Sequence, residues 1–480
     1  ATGGKVGFDP WLHTRAEIEA VHEAAGDLVH LAPFENLVDR IWQDRPDPPA
    51  APVTKYPKDY AGKGDETKRA EIAKALQEAG QKAAVLTLPD SICWLLNIRG
   101  SDIPRTPVVH AFAILFDDGR MQLFSDPEKF THLGPDPGIN LKPWEAFEPA
   151  LAALEGPVRV DRKTAPWAVS AALAAAHVEI AWAEDPCLLP KATKTEAEIA
   201  ATAEAHLRDG AAVAEFLAWL DAEAPRGTLT EIDAVRRLEE CRRAAGQLLD
   251  ISFETIAGAG PNGAIVHYRV TEATNRRIAP GELLLIDSGG QYIDGTTDIT
   301  RTIAIGAPGE EERRAFTRVL KGMIAISRAR WPKGLSGRDL DPLARIALWR
   351  AGQDYDHGTG HGVGVYLSVH EGPQRISRVS EVPLEPGMIL SNEPGYYREG
   401  AFGIRIENLV VVEPAPALEG ADDREMLVFR TLTYAPVDRR LVLAEMLDAG
   451  ERAWLDAYHA EVLARIGSRV GEDTRAWLRE

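Results

Sequence analysis

The apolar and polar positions change their period along the chain. Residues 1–45 hold a short strand at 5–8 and an amphipathic stretch over 18–29. The run Pro46-Asp47-Pro48-Pro49-Ala50-Ala51-Pro52 then excludes helix and central strand, and reads as a linker. Asp65 is suited to cap a helix with Ile72 and Leu76 on one face and Gly80 at its end, and 83–88 follows as a buried strand. Residues 112–124 predict a hairpin turning through Asp118-Gly119, a pair that fits a type I′ turn. This α/β block runs to about residue 190.

A long helix is expected from Thr195, which forms a capping box with Glu198, to about Ala224 before Pro225, and a second from Thr230 to about Ala245. Strand patterns then dominate, at 264–270, 282–287, 297–305, 388–393 and 403–412, with helical stretches at 309–330 and 340–351. Past about 436 the chain is again helical and charged, as a packing or dimer element would be.

Several acidic residues interrupt this second region. Alternation in 297–303 puts Asp298, Thr300 and Thr302 on one face and the isoleucines on the other; in 403–407 it puts Arg405 beside Glu407, opposite Ile404 and Ile406. A single such acid is normally a solvated strand face, a reading that weakens when several recur on neighbouring strands. Asp294-Gly295 should turn the chain between Asp287 and Asp298. A strict two-residue turn there would pair Asp287 with Thr302, so a bulge or bend near Gly289-Gly290 is expected to correct the register.

The loop His357-Gly358-Thr359-Gly360-His361-Gly362-Val363-Gly364 lets backbone approach a ligand closely. It lacks the Lys-Ser/Thr of a phosphate loop. Asp287, Asp298, His361, Glu393 and Glu407 together offer four carboxylates and an imidazole, whose charge offsets two divalent cations. A dinuclear metallohydrolase is the first reading. His267 and His370 alone are weak signals, and His13 and His110 read as structural.

Composition narrows the classes. A chain of 480 residues predicts about three domains at roughly 150 residues each. The net charge of −19 argues against nucleic acid or anionic membranes as partners, and no apolar run reaches the roughly 18 residues of a membrane span. Cys93, Cys187 and Cys241 lack metal-like spacing and predict reduced thiols in a cytoplasmic setting. The chain opens Ala1-Thr2-Gly3-Gly4 without methionine, which is expected of a processed or truncated form.

The motifs Gly260-Pro261-Asn262-Gly263-Ala264-Ile265-Val266-His267-Tyr268, Ile286-Asp287-Ser288-Gly289-Gly290, Asp294 through Thr302, Gly358 through Gly364, His370-Glu371-Gly372-Pro373, Asn392-Glu393-Pro394-Gly395-Tyr396-Tyr397 and Gly403 through Asn408 closely resemble the Xaa-Pro aminopeptidase (aminopeptidase P) family of pita-bread metallopeptidases. Phe8 through Thr14 is similar to the late part of that family's N-terminal domain, and Trp94 through Asp102 to its middle domain.

The resemblance implies an α+β protein. Residues 1–55 would be a remnant of the N-terminal domain and linker, 56–190 an α/β creatinase-like domain, 191–435 the pita-bread catalytic domain and 436–480 a C-terminal helical extension. It also implies that Asp287 binds one metal, that Asp298 and Glu407 bridge both, and that His361 and Glu393 complete the other. Mn²⁺ is expected, with Zn²⁺ or Co²⁺ possible in the same shell.

By the same resemblance Glu393 moves the proton of the attacking water, while His370 and His267 donate hydrogen bonds to the developing oxyanion or neighbouring substrate groups. His357, Val369, Tyr397 and Arg405 would line the proline side. The implied activity is release of an N-terminal residue from peptides with proline second, by a homodimer. A prolidase cutting only Xaa-Pro dipeptides and a catalytically inactive pita-bread binding module are the alternatives; methionine aminopeptidase fits the large preceding domains less well.

Overall fold

The computed structural model describes residues 3–134 and 136–480. It divides into two compact units, Ala1–Lys191 and Ala192–Glu480. The first is built on a mixed sheet of six strands in the order Ile180–Trp182, Val158–Val160, Ala83–Leu86, Phe112–Phe116, Met121–Phe124, Ile139–Lys142. Val85, Ile114, Phe124 and Val158 pack from it against Val169 and Leu173 of the helix Trp167–Ala175.

Two local expectations in this unit are corrected. The helix Asp65–Glu78 takes Gly64 as its N-cap, so Asp65 is its first residue rather than its cap. The hairpin between Phe112–Phe116 and Met121–Phe124 closes through three residues, Asp117 to Gly119, since Phe116 N bonds Arg120 O. Gly119, at φ 84°, supplies the left-handed position that this longer turn needs.

In the second unit every strand pairing among the described residues is antiparallel. Its helix Glu196–Glu223 starts from the Thr195–Glu198 capping box, and Glu231–Ala244 starts from a second one, at Thr230 and Asp233. Phe216, Leu220, Ala234 and Leu238 of these helices cover Leu284, Ile286, Ile299 and Ile303 on the back of a three-stranded sheet. Each fully buried large apolar side chain contributes about 1.5–3 kcal/mol, so this seam holds the back face firmly. The front face is left to other side chains.

That sheet runs Ile256–Ala259, Leu283–Ser288, Ile299–Ala304. No strand forms over the expected 264–270. A 3₁₀ turn occupies Gly260–Ala264, and Tyr268 and Asn262 hydrogen-bond Glu231 instead of a neighbouring strand. The strand lies just upstream, at Ile256–Ala259.

The register differs from expectation too. Asp287 pairs with Thr300, and beyond the break at Gly289 Tyr292 still pairs with Gly295 in the same frame. No bulge shifts the register. The turn itself sits one residue earlier, on Ile293-Asp294, and supplies the correction. The ladder is interrupted at Gly289 all the same, where a Cβ would lie 1.9 Å from the Thr297 carbonyl oxygen.

A six-stranded sheet completes the unit, in the order Arg330–Pro332, Met426–Thr431, Asn408–Pro414, Ile389–Asn392, Gly360–Gly362, Glu371–Ile376. The helices Glu310–Ser327 and Gly337–Trp349 flank it, and the hairpin of Gly395–Arg398 with Phe402–Arg405 stands apart as its own pair. Cys93, Cys187 and Cys241 are free and buried. Among the described residues no helix is long and apolar enough to cross a membrane.

Candidate active site

Thr300 and Asp287 are cross-strand partners and so point to the same side of the sheet; Asp298, two residues before Thr300, shares that side. The isoleucines at 299 and 303 are buried on the opposite face. Arg301 shares the isoleucine face, a cation on the core side that the alternation leaves unexplained from sequence. It is satisfied by the carbonyls of Thr300, Glu407, Ala435 and Pro436 and by Asn408 and Tyr458.

Glu407 enters the same space from the segment after Phe402–Arg405. Its backbone N donates to Thr300 O at 3.1 Å, and Thr300 Oγ1 donates to its Oε2 at 2.7 Å. Ile404 and Ile406 turn the other way, fully into the core. His361 stands on Gly360–Gly362, where a Cβ on Gly360 would lie 2.0 Å from Ser391 O, so only glycine lets this strand approach its neighbour. Its Nδ1 lies 2.9 Å from Gly362 O, which fixes Nε2 toward the acids, 3.4 Å from Asp298 and 3.5 Å from Glu393.

Three sets of side chains each bring ligand atoms within 4.8 Å of one another: Asp287 with Asp298 and Glu407, His361 with Glu393 and Glu407, and Asp298 with His361 and His370. The five residues expected to ligate metal are thus in one place. His370 adjoins them, its ring 4.1 Å from that of His361.

So many acids in one buried pocket perturb one another. Burial pushes the carboxyl of Asp298 well up, and Asp287 and Glu393 push it further; Glu407 is raised well by burial and by Asp298, Glu393 and Asp287. Burial also raises Glu393, against the lowering pull of His361 and Arg405. Arg405 compensates part of this cluster through a 2.6 Å bond to Asp287 Oδ2. The other oxygen of Asp287, and Oε1 of Glu407, are buried and have no hydrogen-bond donor. A buried charged acceptor without a partner costs more than about 1–3 kcal/mol. Hard oxygen donors with one imidazole, two of them orphaned, fit divalent cations of the Mn²⁺ class.

These groups line a cleft of about 810 Å³, which His267, His357, Val369 and His370 also line. Loss of water holds His357 down at about 3, with Arg405 adding to the effect, and loss of water with the neighbouring His361 holds His370 down at about 4. Both are neutral imidazoles near neutral pH, and each can donate one N–H. His357 Nε2 lies 2.9 Å from Tyr397 OH, which in turn accepts from Arg405 Nη1 at 2.6 Å. Tyr397 therefore stands behind His357 and Arg405 rather than on the wall of the cleft, and Arg405 reaches the cleft as the partner of Asp287.

Other contributors escaped the sequence. Ser391 Oγ accepts from His361 N and donates to Glu393 Oε1. Asp341 accepts from Arg345 and Thr359, and Arg345 donates to the carbonyls of Tyr355 and His357, bracing the histidine loop. A polar pair at i and i+4, Asp341 and Arg345, among the buried positions of the amphipathic helix Gly337–Trp349 was the signal available.

Residues 200–414 match the model of metallopeptidase family M24, residues 44–198 that of the creatinase/prolidase N-terminal domain, and residues 425–480 that of the C-terminal region of peptidase M24. A protein of Neosartorya fischeri described as a probable Xaa-Pro aminopeptidase P is 41% identical over 507 aligned residues, covering 100% of this chain and 76% of the relative. The chain belongs to metallopeptidase family M24. A second M24 relative, from Paracoccidioides brasiliensis and also described as a probable Xaa-Pro aminopeptidase P, is 40% identical and is covered over 82% of its length.

Among solved M24 structures, the X-prolyl aminopeptidase of Caenorhabditis elegans superposes with a TM-score of 0.92 at 32% identity, over 100% of this chain and 80% of that one. It is described as a cytosolic enzyme with a di-nuclear active site. An Xaa-Pro dipeptidase of Bacillus anthracis, 24% identical with a TM-score of 0.62 over 78% of this chain and 99% of its own, shares the fold. The architecture is the α+β one expected, a creatinase-like domain followed by the pita-bread fold.

Proposed function

We propose that this M24 metallopeptidase is an Xaa-Pro aminopeptidase, releasing the N-terminal residue from peptides whose second residue is proline. The observation that carries the reading is the convergence of Asp287, Asp298, His361, Glu393 and Glu407 in one cleft, in a chain whose relatives of that description match it along its whole length. A full ligand set argues against an inactive binding module. In this reading Asp287 with Asp298 and Glu407 would hold one cation, and His361 and Glu393 with the same two acids would hold the second. Bound Mn²⁺, or Zn²⁺ or Co²⁺ in its stead, supplies Lewis acidity and lowers the pKa of a water shared at the site.

The protein's own groups do the rest. Glu393 takes the proton of the attacking water and returns it to the proline nitrogen as that leaves. His370 and His267, on the cleft wall, donate hydrogen bonds to the oxygen that gains charge. The imide nitrogen of proline carries no hydrogen, so proline is recognised by ring shape, with His357 and Val369 forming that wall and Tyr397 and Arg405 holding His357 in place. The same reading includes a cytoplasmic setting, like that of the nematode relative, and a homodimer.

The test strips the protein with chelator, reloads it with Mn²⁺, and offers Xaa-Pro-Pro peptides, Xaa-Pro dipeptides and peptides without proline in second position. Cleavage of the first set with release of the N-terminal residue is expected. Cleavage of dipeptides alone would make the protein a prolidase instead.

A further inference from the structure

Against Ser288 and Thr297, the residues next to Asp287 and Asp298 in the chain, lies a buried ion pair that the chemistry above does not use. Asp209 of the helix Glu196–Glu223 and Arg242 of the helix Glu231–Ala244 are both fully buried. Arg242 Nε donates to Asp209 Oδ1 at 2.6 Å and Nη2 to Oδ2 at 3.1 Å. Tyr292 OH donates to Oδ1 at 2.7 Å, and Thr297 Oγ1 to Oδ2 at 2.8 Å. Arg242 Nη2 also donates to the carbonyl of Ser288 at 3.2 Å.

Ser288 directly follows Asp287, and Thr297 directly precedes Asp298. A single ion pair therefore grips both strands next to both aspartates. It does so beside a break in the ladder: the carbonyl of Gly289 accepts from Ser252 N instead of from the facing strand, and pairing resumes where Thr297 N donates to Gly290 O at 2.9 Å. Thr297 reinforces that pairing with its side chain, accepting from Gly290 N at 2.8 Å through the same Oγ1 that reaches Asp209. Burial pushes the Asp209 carboxyl up, but the charge and hydrogen bonds of Arg242, with those of Tyr292 and Thr297, hold it below the usual carboxylate range. The pair is ionised, and it is bidentate, the arrangement that fixes direction as well as distance. A buried ion pair is weak evidence for stability, since apolar side chains of like volume serve a core as well.

We infer that the Asp209–Arg242 pair is a positioning element of the metal centre: through Ser288 and Thr297 it fixes the separation of Asp287 and Asp298 and so sets the affinity for divalent cations. This rests on the metal reading of the cleft. Supporting groups one step behind metal ligands commonly govern metal affinity by about 10–100-fold.

The test measures Mn²⁺ binding to the metal-stripped full chain, by chelator competition and by the electron paramagnetic resonance of free Mn²⁺. Thr297→Val keeps the shape of the side chain and removes its hydroxyl; it is expected to weaken Mn²⁺ by about tenfold. Turnover at saturating Mn²⁺ should change less than the affinity. Thr297→Ser restores the hydroxyl and should bind as the parent does. Ile303→Val, which removes a methyl group from the apolar face of the following strand, should leave affinity unchanged.

Thr297→Val binding Mn²⁺ as tightly as the parent overturns the inference, as does an equal loss in Ile303→Val, which would make the effect one of sheet stability. A parent protein that binds no Mn²⁺ overturns the metal reading itself, and this inference with it.

Discussion

Arg405 donates to one oxygen of Asp287 at 2.6 Å while the other oxygen of the same carboxylate is buried without a donor. The protein thus neutralises half of the group and leaves the other half for a cation. Removing one partner of a buried ion pair costs about 3–5 kcal/mol. Arg405→Met is therefore expected to destabilise the metal-free protein by about 3 kcal/mol, with a smaller loss once Mn²⁺ is added. Thermal unfolding with and without chelator measures both, and an unchanged midpoint in chelator would remove Arg405 from this role.

Glu393→Gln keeps the size of the side chain and abolishes its capacity to take a proton. Turnover should fall by at least about 10²–10⁴-fold, the usual contribution of a general base, while circular dichroism stays that of the parent. Retained turnover would assign the proton to another group.

Chelation should lower the melting temperature, because the orphaned oxygens of Asp287 and Glu407 regain no partner when the cations leave. A ligand present at about a hundred times its Kd stabilises by about 2.7 kcal/mol, so restoring Mn²⁺ should recover a shift readily seen by calorimetry. Mg²⁺ at the same concentration is expected to restore less, since it dehydrates reluctantly and suits imidazole poorly.

The neutral state of His357 gives a pH dependence with a definite sign. Its imidazole titrates at 6.5 in the unfolded chain and at about 3 in the fold, so between these values the unfolded chain holds a proton that the fold does not. Stability contributed there is full above 6.5 and is lost as pH falls toward 3. His357→Asn should flatten the difference between urea midpoints at about pH 7 and about pH 5, both measured in chelator. An unchanged slope would show that other groups carry it.

Much of this was legible in the chain, for a physical reason. Alternation along a strand is local, so the face shared by Asp298, Thr300 and Thr302 and the opposite face of Ile404 and Ile406 could be read from consecutive residues. So could the Thr195–Glu198 capping box. Residues 264–270 were misread because a short apolar run does not reveal whether a neighbouring strand exists, and Tyr268 found Glu231 instead. The register at Asp287 was misread because the turn moved by one residue, a choice decided by the whole hairpin. Asp209 and Arg242 had no local signal at all: each is one of several charges on its helix, beside Arg208 and Arg243, and only the packing of the two helices makes them a pair.

Arg301 has a consequence for anyone wishing to trim the protein. Its guanidinium sits behind Glu407 and is roofed by the carbonyls of Ala435 and Pro436 and by the hydroxyl of Tyr458, which lies on the helix Ala449–Ile466. Cutting the polypeptide after the last strand would expose a cation seated directly behind the reactive groups. The terminal helices are a wall of the workshop, and a minimal version of the catalyst has to keep them.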